Sequence, residues 1–239
     1  MKRDVFDRLQ AARTAKQPAA LLTDLEDGRQ ALVVDGEVLA GDPALIEDLD
    51  ERIARAIAAD KSGILEDDRR FLQVFNPPLR LIVVGAVHIA QALVPMAMLA
   101  GYGVTVVDPR RAWATDARFP EVALATDWPD QALQALGPDH RTAVVTLAHD
   151  PKLDDPALVV ALRSPVFYIG ALGSTRTHAK RRQRLGEMGV EDAELARIHG
   201  PIGLALGAKS PAEIAISILA QMTQVLHDAP ALVRKEAAE

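Results

Sequence analysis

Two hydrophobic rhythms divide this chain at Asn76-Pro77-Pro78. Before that break, short apolar runs alternate with polar turns. Residues 4–15 carry apolar positions at helical spacing, and residues 20–23 and 30–34 read as strands around the turn at Asp27-Gly28. Asp42-Pro43 signals a helix start, with Asp42 as cap and proline in the first turn. Leu45, Leu49, Ile53 and Ile57 then recur every four residues, so that helix has one apolar face. Phe71–Phe75 predicts a further strand. Together these elements predict a small α+β domain over residues 1–78.

From Leu79 onward strands and helices alternate. The pattern predicts strands at 80–85, 104–108, 142–147 and 166–170. Helices are predicted at 88–100, at 129–136, at 156–163 from Asp155-Pro156, and at 175–187, with an irregular stretch at 109–126. Ser210-Pro211-Ala212-Glu213 is a capping box opening a last helix, whose Ile214, Ile218, Met222 and Val225 continue one apolar face. The polar tail beyond Pro230 is expected to fray. Alternation with short joints predicts a parallel sheet covered on both faces, a Rossmann-like α/β domain over residues 79–239.

Composition refines this picture. Apolar residues make up 49% of the 239 positions but aromatics only 4%, so the core must be built from Ala, Val, Leu and Ile. A formal net charge of −6 argues against a nucleic-acid binder driven by overall charge, without excluding a local basic site. The chain has no cysteine, which excludes disulfides, thiolate metal sites and a cysteine nucleophile. The start, MKRDVFDRLQ, has no apolar core of a secretory signal. The apolar stretch at 81–100 is broken by Gly85, His88, Gln91 and Pro95, so no membrane span is expected. A soluble, cytoplasmic protein is the expectation.

Ligands of such sheets bind at the carboxyl ends of the strands, and four strand ends carry candidate chemistry. The first is Gly85-Ala86-Val87-His88, where the dinucleotide fingerprint G-x-G-x-x-G/A keeps Gly85 and Ala90 but has Val87 in its middle slot. The turn is either an anion site at a helix N-terminus or a packing joint. The second is Asp108-Pro109-Arg110-Arg111, where Asp108 stands about where a ribose-binding acid would and the arginines suit phosphate. It can equally be a capped loop. The third gathers His149, Asp150, Lys152, Asp154 and Asp155, with Asp155 read as a helix cap and a carboxylate beside a histidine suiting acid–base work or a metal shell. No metal-ligand set is assigned. The fourth, GALGSTRTHAKRRQR at 170–184, is the most informative. Gly170, Gly173 and Ser174 turn into a helix carrying Arg176, Thr177 and Lys180, and Arg176 and Lys180 share a face one turn apart. They form a candidate phosphate site. Arg181, Arg182 and Arg184 read as a solvated basic face. The glycine-rich run from His199 to Lys209 either closes a pocket or is a buried connector. No Walker loop, H-E-x-x-H or Ser-His-Asp spacing occurs.

GAVHIAQAL, VTVVDPR, LAHDPKLDDPAL, YIGALGSTRTHAKR and PIGLALGAKSPAEIAISILAQ together resemble the xanthine dehydrogenase accessory factor family, of the XdhC/CoxI type. The likeness runs in order over about residues 20–227. It implies a small N-terminal domain, a Rossmann-type C-terminal domain, and a role in maturing molybdenum hydroxylases. The implied role is to bind molybdenum cofactor (molybdopterin or its dinucleotide form), guard it during sulfuration and pass it to an apo molybdenum hydroxylase. Two departures stand out. Val87 replaces a glycine of the commoner GAGHVA turn, and the N-terminal segment lacks the G-S-S-P-R motif of longer members, which marks a divergent subgroup.

The resemblance implies that cofactor-binding residues come from all four junctions, with the phosphate displaced from Val87 toward Ser174, Arg176 and Lys180. With no thiol to carry a persulfide, the sulfur has to come from a partner, a cysteine desulfurase. A homodimer is also expected. The alternatives are an NAD(P)-dependent oxidoreductase using Asp108 and the glycine turn, and a protein-only scaffold whose pocket has degenerated.

Overall fold

The computed structural model describes residues 2–227, so the tail expected to fray lies outside the described residues. The chain divides into two compact units, Met1–Pro77 and Pro78–Glu239.

The first unit is an antiparallel sheet with a helix on each face. Its elements are α1 (Arg3–Thr14), β1 (Ala19–Asp24), β2 (Gln30–Val34), β3 (Glu37–Gly41), a 3-10 turn (Pro43–Ile46), α2 (Asp50–Ala58), β4 (Gly63–Ile64) and β5 (Arg70–Phe75), in sheet order β3-β2-β1-β5-β4. Alternate side chains of β1 serve opposite faces. Ala19 and Leu21 pack with Val5, Leu9 and Ala12 of α1, while Ala20 and Leu22 pack with Leu49 and with Ile53 of α2.

One expectation for this unit is corrected, and its set of strands is extended. The single helix from Asp42 is split. Asp42 caps only a 3-10 turn, accepting from the Ala44 amide, and Asp48 then takes a positive φ of 63° that ends the run before α2 begins. The four-residue apolar spacing survives the break because Leu49 and Ile53 still reach the sheet. Strand β3 adds to the expected set. Its signal lies in the hairpin turn, Asp35-Gly36, which has the positive φ at both positions that a two-residue turn needs.

The second unit contains β6 (Arg80–Val84), α3 (His88–Leu99), β7 (Gly103–Val107), β8 (Ala123–Ala125), α4 (Pro129–Leu136), β9 (Thr142–Thr146), α5 (Pro151–Leu162), β10 (Tyr168–Ala171), α6 (Thr175–Glu187), α7 (Asp192–Leu195), β11 (Ile198–His199) and α8 (Pro211–Leu226). Its six strands are all parallel, in order β11-β10-β9-β6-β7-β8. Numbered within the unit this is 6-5-4-1-2-3, the doubly wound Rossmann order, with its switch point between β6 and β9. Residues of β6 alternate between two cores. Leu81 and Val83 face α3 and α8, and Ile82 and Val84 face α4 and α5. Central strands buried on both faces explain the unbroken apolar runs.

Three short elements, β8, α7 and β11, also add to the expected set, being two to four residues long and too short for periodicity to register. The start of α5 is corrected. It begins at Pro151 with Asp150 as cap, accepting from the Lys152 amide, so Asp155-Pro156 lies inside the helix. Asp-Pro occurs twice, and the earlier pair takes the capping role. The missing N–H of Pro156 is outweighed by burial of Leu153, Ala157, Leu158, Ala161 and Leu162.

At the switch point the β6 and β9 loops touch. Gly85 has φ 106°, and a Cβ there would stand 2.6 Å from the Ala148 amide nitrogen. Gly85→Ala is therefore expected to cost roughly 2–4 kcal/mol, combining backbone strain with a clash against main chain. Urea unfolding followed by circular dichroism measures it, and a wild-type midpoint would contradict the close approach.

Candidate functional site

The first turn of the Rossmann unit is engaged from within. Asp108, at the end of β7, is fully buried, and a carboxylate out of water must collect donors. It accepts from the Ala86 amide at 2.8 Å, from the Arg110 amide at 3.0 Å, and from Nε and Nη2 of Arg110 at 2.8 and 2.7 Å. Burial alone would raise this carboxyl, but the Arg110 guanidinium and the two amides outweigh it and hold it below the usual range. The Ala86 carbonyl accepts from Arg118 Nη1 at 2.8 Å, and Arg118 Nη2 reaches Gln91 Oε1 at 2.9 Å. Trp113 lies under both guanidiniums, 4.9 Å from Arg110 and 5.4 Å from Arg118. Both polar atoms of the Ala86 residue's main chain are thus taken by protein groups. Val87 caps α3 at φ −92° and ψ 176°, a region any β-branched residue adopts, so valine in the glycine slot carries no strain. His88 is exposed at the first position of α3.

The open chemistry lies one step along the sheet. A cavity of about 140 Å³ sits between the β9–α5 loop and the start of α6, lined by His149, Pro151, Asp154, Arg176, Thr177, Lys180, Arg181 and Arg184. Ser174 caps α6, its hydroxyl accepting from the Thr177 amide at 3.2 Å and lying 3.0 Å from the Thr177 hydroxyl. The first-turn amides of Thr175 and Arg176 have no intrahelical acceptor. Arg176 and Lys180 are exposed at the rim, while Arg181 is 2% exposed in the wall. Arg181 Nη2 donates to the Leu172 carbonyl at 2.7 Å, but its Nε and Nη1 have no partner. Facing them is Asp154, also 2% exposed, whose Oδ1 is unpartnered.

Burial dominates the electrostatics of that pair. It pushes the Asp154 carboxyl up to about 7, with Asp155 adding to the rise and Arg181 and the Ala148 and His149 amides opposing it. Burial likewise draws the Arg181 guanidinium down, against the pull of Asp154 and Asp155. Arg184 is held otherwise, in a two-pronged pair with Asp155 at 2.6 and 3.0 Å. The expectation of a solvated basic face at 181, 182 and 184 is therefore corrected. Arg181 is core, Arg184 is paired with a buried acid, and only Arg182, bonded to exposed Asp192, fits it. A helix that lies on α5 has to bury one stripe, and here that stripe is cationic because α5 offers it Asp154 and Asp155.

The structure brings His149, Arg176, Thr177 and Lys180 together around the cavity, with Ser174 capping its helix. Asp150 and Lys152 are joined in the α5 cap, and Lys152 is exposed outside the cavity lining. A side chain at Gly173 would strike Thr177 and meet His149, while one at Gly170 would strike Ile202 of the glycine-rich segment. Arg110 belongs to the neighbourhood electrostatically: its basicity is raised chiefly by Asp108, and Asp150 and Asp154 add to the rise. Asp154 is among the acids expected from sequence, whereas Arg181 is not among the expected site residues. Its signal is nonetheless present: position 181 shares a helical face with Thr177 and Leu185, and Leu185 is core. Among the described residues no group of three or more acidic, histidine or cysteine side chains could hold a metal ion, and no helix is long and apolar enough to cross a membrane.

A doubly wound sheet, a closed first turn and an open cationic junction after its fifth strand define the class: a Rossmann-type protein whose exposed cations gather away from the usual dinucleotide turn. Residues 81–222 match the family model described as the XdhC Rossmann domain, and the chain belongs to that family. Three curated relatives agree. The molybdenum cofactor insertion chaperone PaoD of Escherichia coli is 34% identical over 151 residues, 63% of this chain and 41% of its own length. A probable xanthine dehydrogenase component of Bacillus subtilis is 34% identical over 158 residues, 64% of this chain and 45% of its own. The uncharacterized Escherichia coli protein YqeB is 32% identical over 181 residues, 74% of this chain and 32% of its own. The chain thus spans less than half the length of the curated relatives it matches. A crystal structure described as a xanthine dehydrogenase from Bacillus halodurans shares the fold, with a TM-score of 0.74 at 24% identity over 100% of this chain and 68% of that one.

A carboxyl whose folded pKa lies above its unfolded value weakens the fold as pH rises from the unfolded value to the folded one. For Asp154 that window runs from about pH 4 to about pH 7. Asp154→Asn is expected to raise unfolding stability by an amount that grows across this window and levels above it. The plateau is of order 2–4 kcal/mol. Urea midpoints of both proteins between pH 4 and 8 test it, and a pH-independent difference would contradict the buried neutral acid.

Proposed function

We propose that this protein is a molybdenum cofactor insertion chaperone, an accessory factor for a xanthine dehydrogenase-type molybdenum hydroxylase. It takes up the cofactor as cargo, holds it during sulfuration and hands it to the apoenzyme. Membership of the XdhC family and the role for which PaoD is named support the class of activity. The observation that carries the reading to a place is the cluster of cations at the start of α6 in a chain of net charge −6. The cavity there, about 140 Å³, is smaller than the roughly 300–1,000 Å³ of pockets that enclose a whole drug-sized ligand. It suits one end of the cargo, the phosphate, with the pterin lying outside along the strand ends.

The same geometry weighs against the oxidoreductase alternative. Asp108 is occupied by Ala86 and Arg110 and offers no free carboxylate to a ribose, and the Ala86 amide is not free for a pyrophosphate. A chain without cysteine supplies no persulfide, so in this reading a cysteine desulfurase delivers the sulfur and this protein serves as platform. Homodimerisation and a cytoplasmic setting complete the proposal.

The test is co-purification of the full chain from a molybdate-replete host, with molybdenum and pterin analysis. The Arg176→Ala/Lys180→Ala variant is expected to retain about ten- to a hundredfold less molybdopterin, the range for losing charge-assisted contacts to a phosphate. Equal retention by variant and wild type, or NADH fluorescence enhanced on binding while molybdopterin is ignored, would overturn the proposal.

A further inference from the structure

The rim cations Arg176 and Lys180 account for attraction of an anion, but not for what lies behind them. A guanidinium-bearing and a carboxyl-bearing residue, both 98% removed from solvent, line the same small cavity, and each keeps buried polar atoms without a hydrogen-bond partner: Nε and Nη1 of Arg181, and Oδ1 of Asp154. Buried polar groups left unpaired cost stability, and a fold retains them where something else completes them. Two free N–H donors need an acceptor, and an acid oxygen opposite them needs either a donor or a proton to donate. One group satisfies all three at once: a tetrahedral oxyanion, with oxygens for Arg181 and for the first-turn amides of α6 and a further oxygen for the acid.

We propose that the cavity between α5 and α6 is a receptor for a single phosphate-monoester group, with Arg181 as its buried cation and Asp154 as the acid that shares a proton with the bound oxyanion. This rests on the placement of the cargo given above and deepens it. The receptor reads a terminal phosphate, not a diphosphate, because about 140 Å³ behind one helix turn gives room for one tetrahedral head. Binding couples to a proton. An ionised Asp154 would repel the anion, whereas a protonated one donates to it, so affinity falls as pH rises through the Asp154 transition near 7. Besides the rim cations Arg176 and Lys180, the charged or titratable groups around this pair are His149 from the β9–α5 loop, His178 and Arg184 on α6, Asp155 on α5 and Arg110 from the loop after β7. Arg184 and Arg110 are each held by a buried carboxylate, Asp155 and Asp108.

The experiment titrates the full chain calorimetrically with inorganic phosphate, pyrophosphate and sulfate. Sulfate remains a dianion throughout, so its pH dependence reports the protein alone. Wild type is expected to bind phosphate and sulfate, and to bind sulfate about tenfold more weakly at pH 8 than at pH 6, the change in the protonated fraction of an acid with pKa near 7. Asp154→Asn, which keeps a neutral donor, is expected to retain sulfate binding and to lose that dependence, while His149→Gln keeps it. Arg181→Met is expected to lose at least tenfold in affinity. Arg182→Ala, on the outward face of the same helix, stays within twofold of wild type. Should Arg181→Met fail to fold, the Asp154→Asn arm decides alone. Binding unchanged in Arg181→Met, a pH dependence that survives Asp154→Asn, or pyrophosphate favoured over phosphate overturns the receptor. Anion binding of the expected kind without molybdopterin retention would sink the cargo reading and leave the receptor standing. Molybdopterin retention indifferent to phosphate and to Arg181→Met would do the reverse.

Discussion

A buried carboxylate must be fully supplied with donors, and Asp108 meets that demand by drawing in the very turn that a dinucleotide would use. Once the Ala86 amide and the Arg110 guanidinium are committed to it, the rest of the first junction follows. Arg118 fastens the long β7–β8 connection to the Ala86 carbonyl, and Trp113 stacks beneath both arginines. Gly85 lets the β9 loop close against the turn. The switch-point crevice, the default ligand site of a doubly wound sheet, is thereby tied together by hydrogen bonds within the protein.

The neighbouring junction shows the opposite balance. Of the two acids that α5 turns toward α6, Asp155 is fully paired with Arg184 and acts as a strut. Asp154, one residue earlier, lines a small cavity together with Arg181, and both keep buried atoms without a hydrogen-bond partner. An acid fully paired with an arginine and an acid with one oxygen unpartnered thus sit side by side on one helix, and only the first ties α6 in place. The cations of α6 divide in the same way: Arg176 and Lys180 are exposed at the rim, Arg184 anchors, and Arg181 stays buried.

Much of this is legible in the chain. The strand–helix alternation after Leu79 leads to the doubly wound sheet, and the Ser210 capping box leads to α8 within a residue. What stays hidden depends on tertiary contacts. Arg181 reads as solvated because arginines are mostly exposed, and only the acids of α5 make it core. Asp155-Pro156 carries the same local signal as Asp150-Pro151, and choosing between them requires knowing that Leu153 must be buried in the helix. The hollow fingerprint at Val87 looks like damage to a nucleotide site. Its ordinary backbone angles and the engagement of Ala86 with Asp108 make it an intact part of a different arrangement.

The central claim is that anion handling has moved from the first junction to the one between α5 and α6. Amide and arginine Nε chemical-shift mapping of the full chain on addition of inorganic phosphate tests it most directly. The account predicts perturbations concentrated at residues 148–154 and 172–181, including the Arg181 Nε–H, with residues 85–88 unmoved. Perturbations centred on residues 85–88 and Asp108, with the Arg181 Nε–H silent, would contradict it.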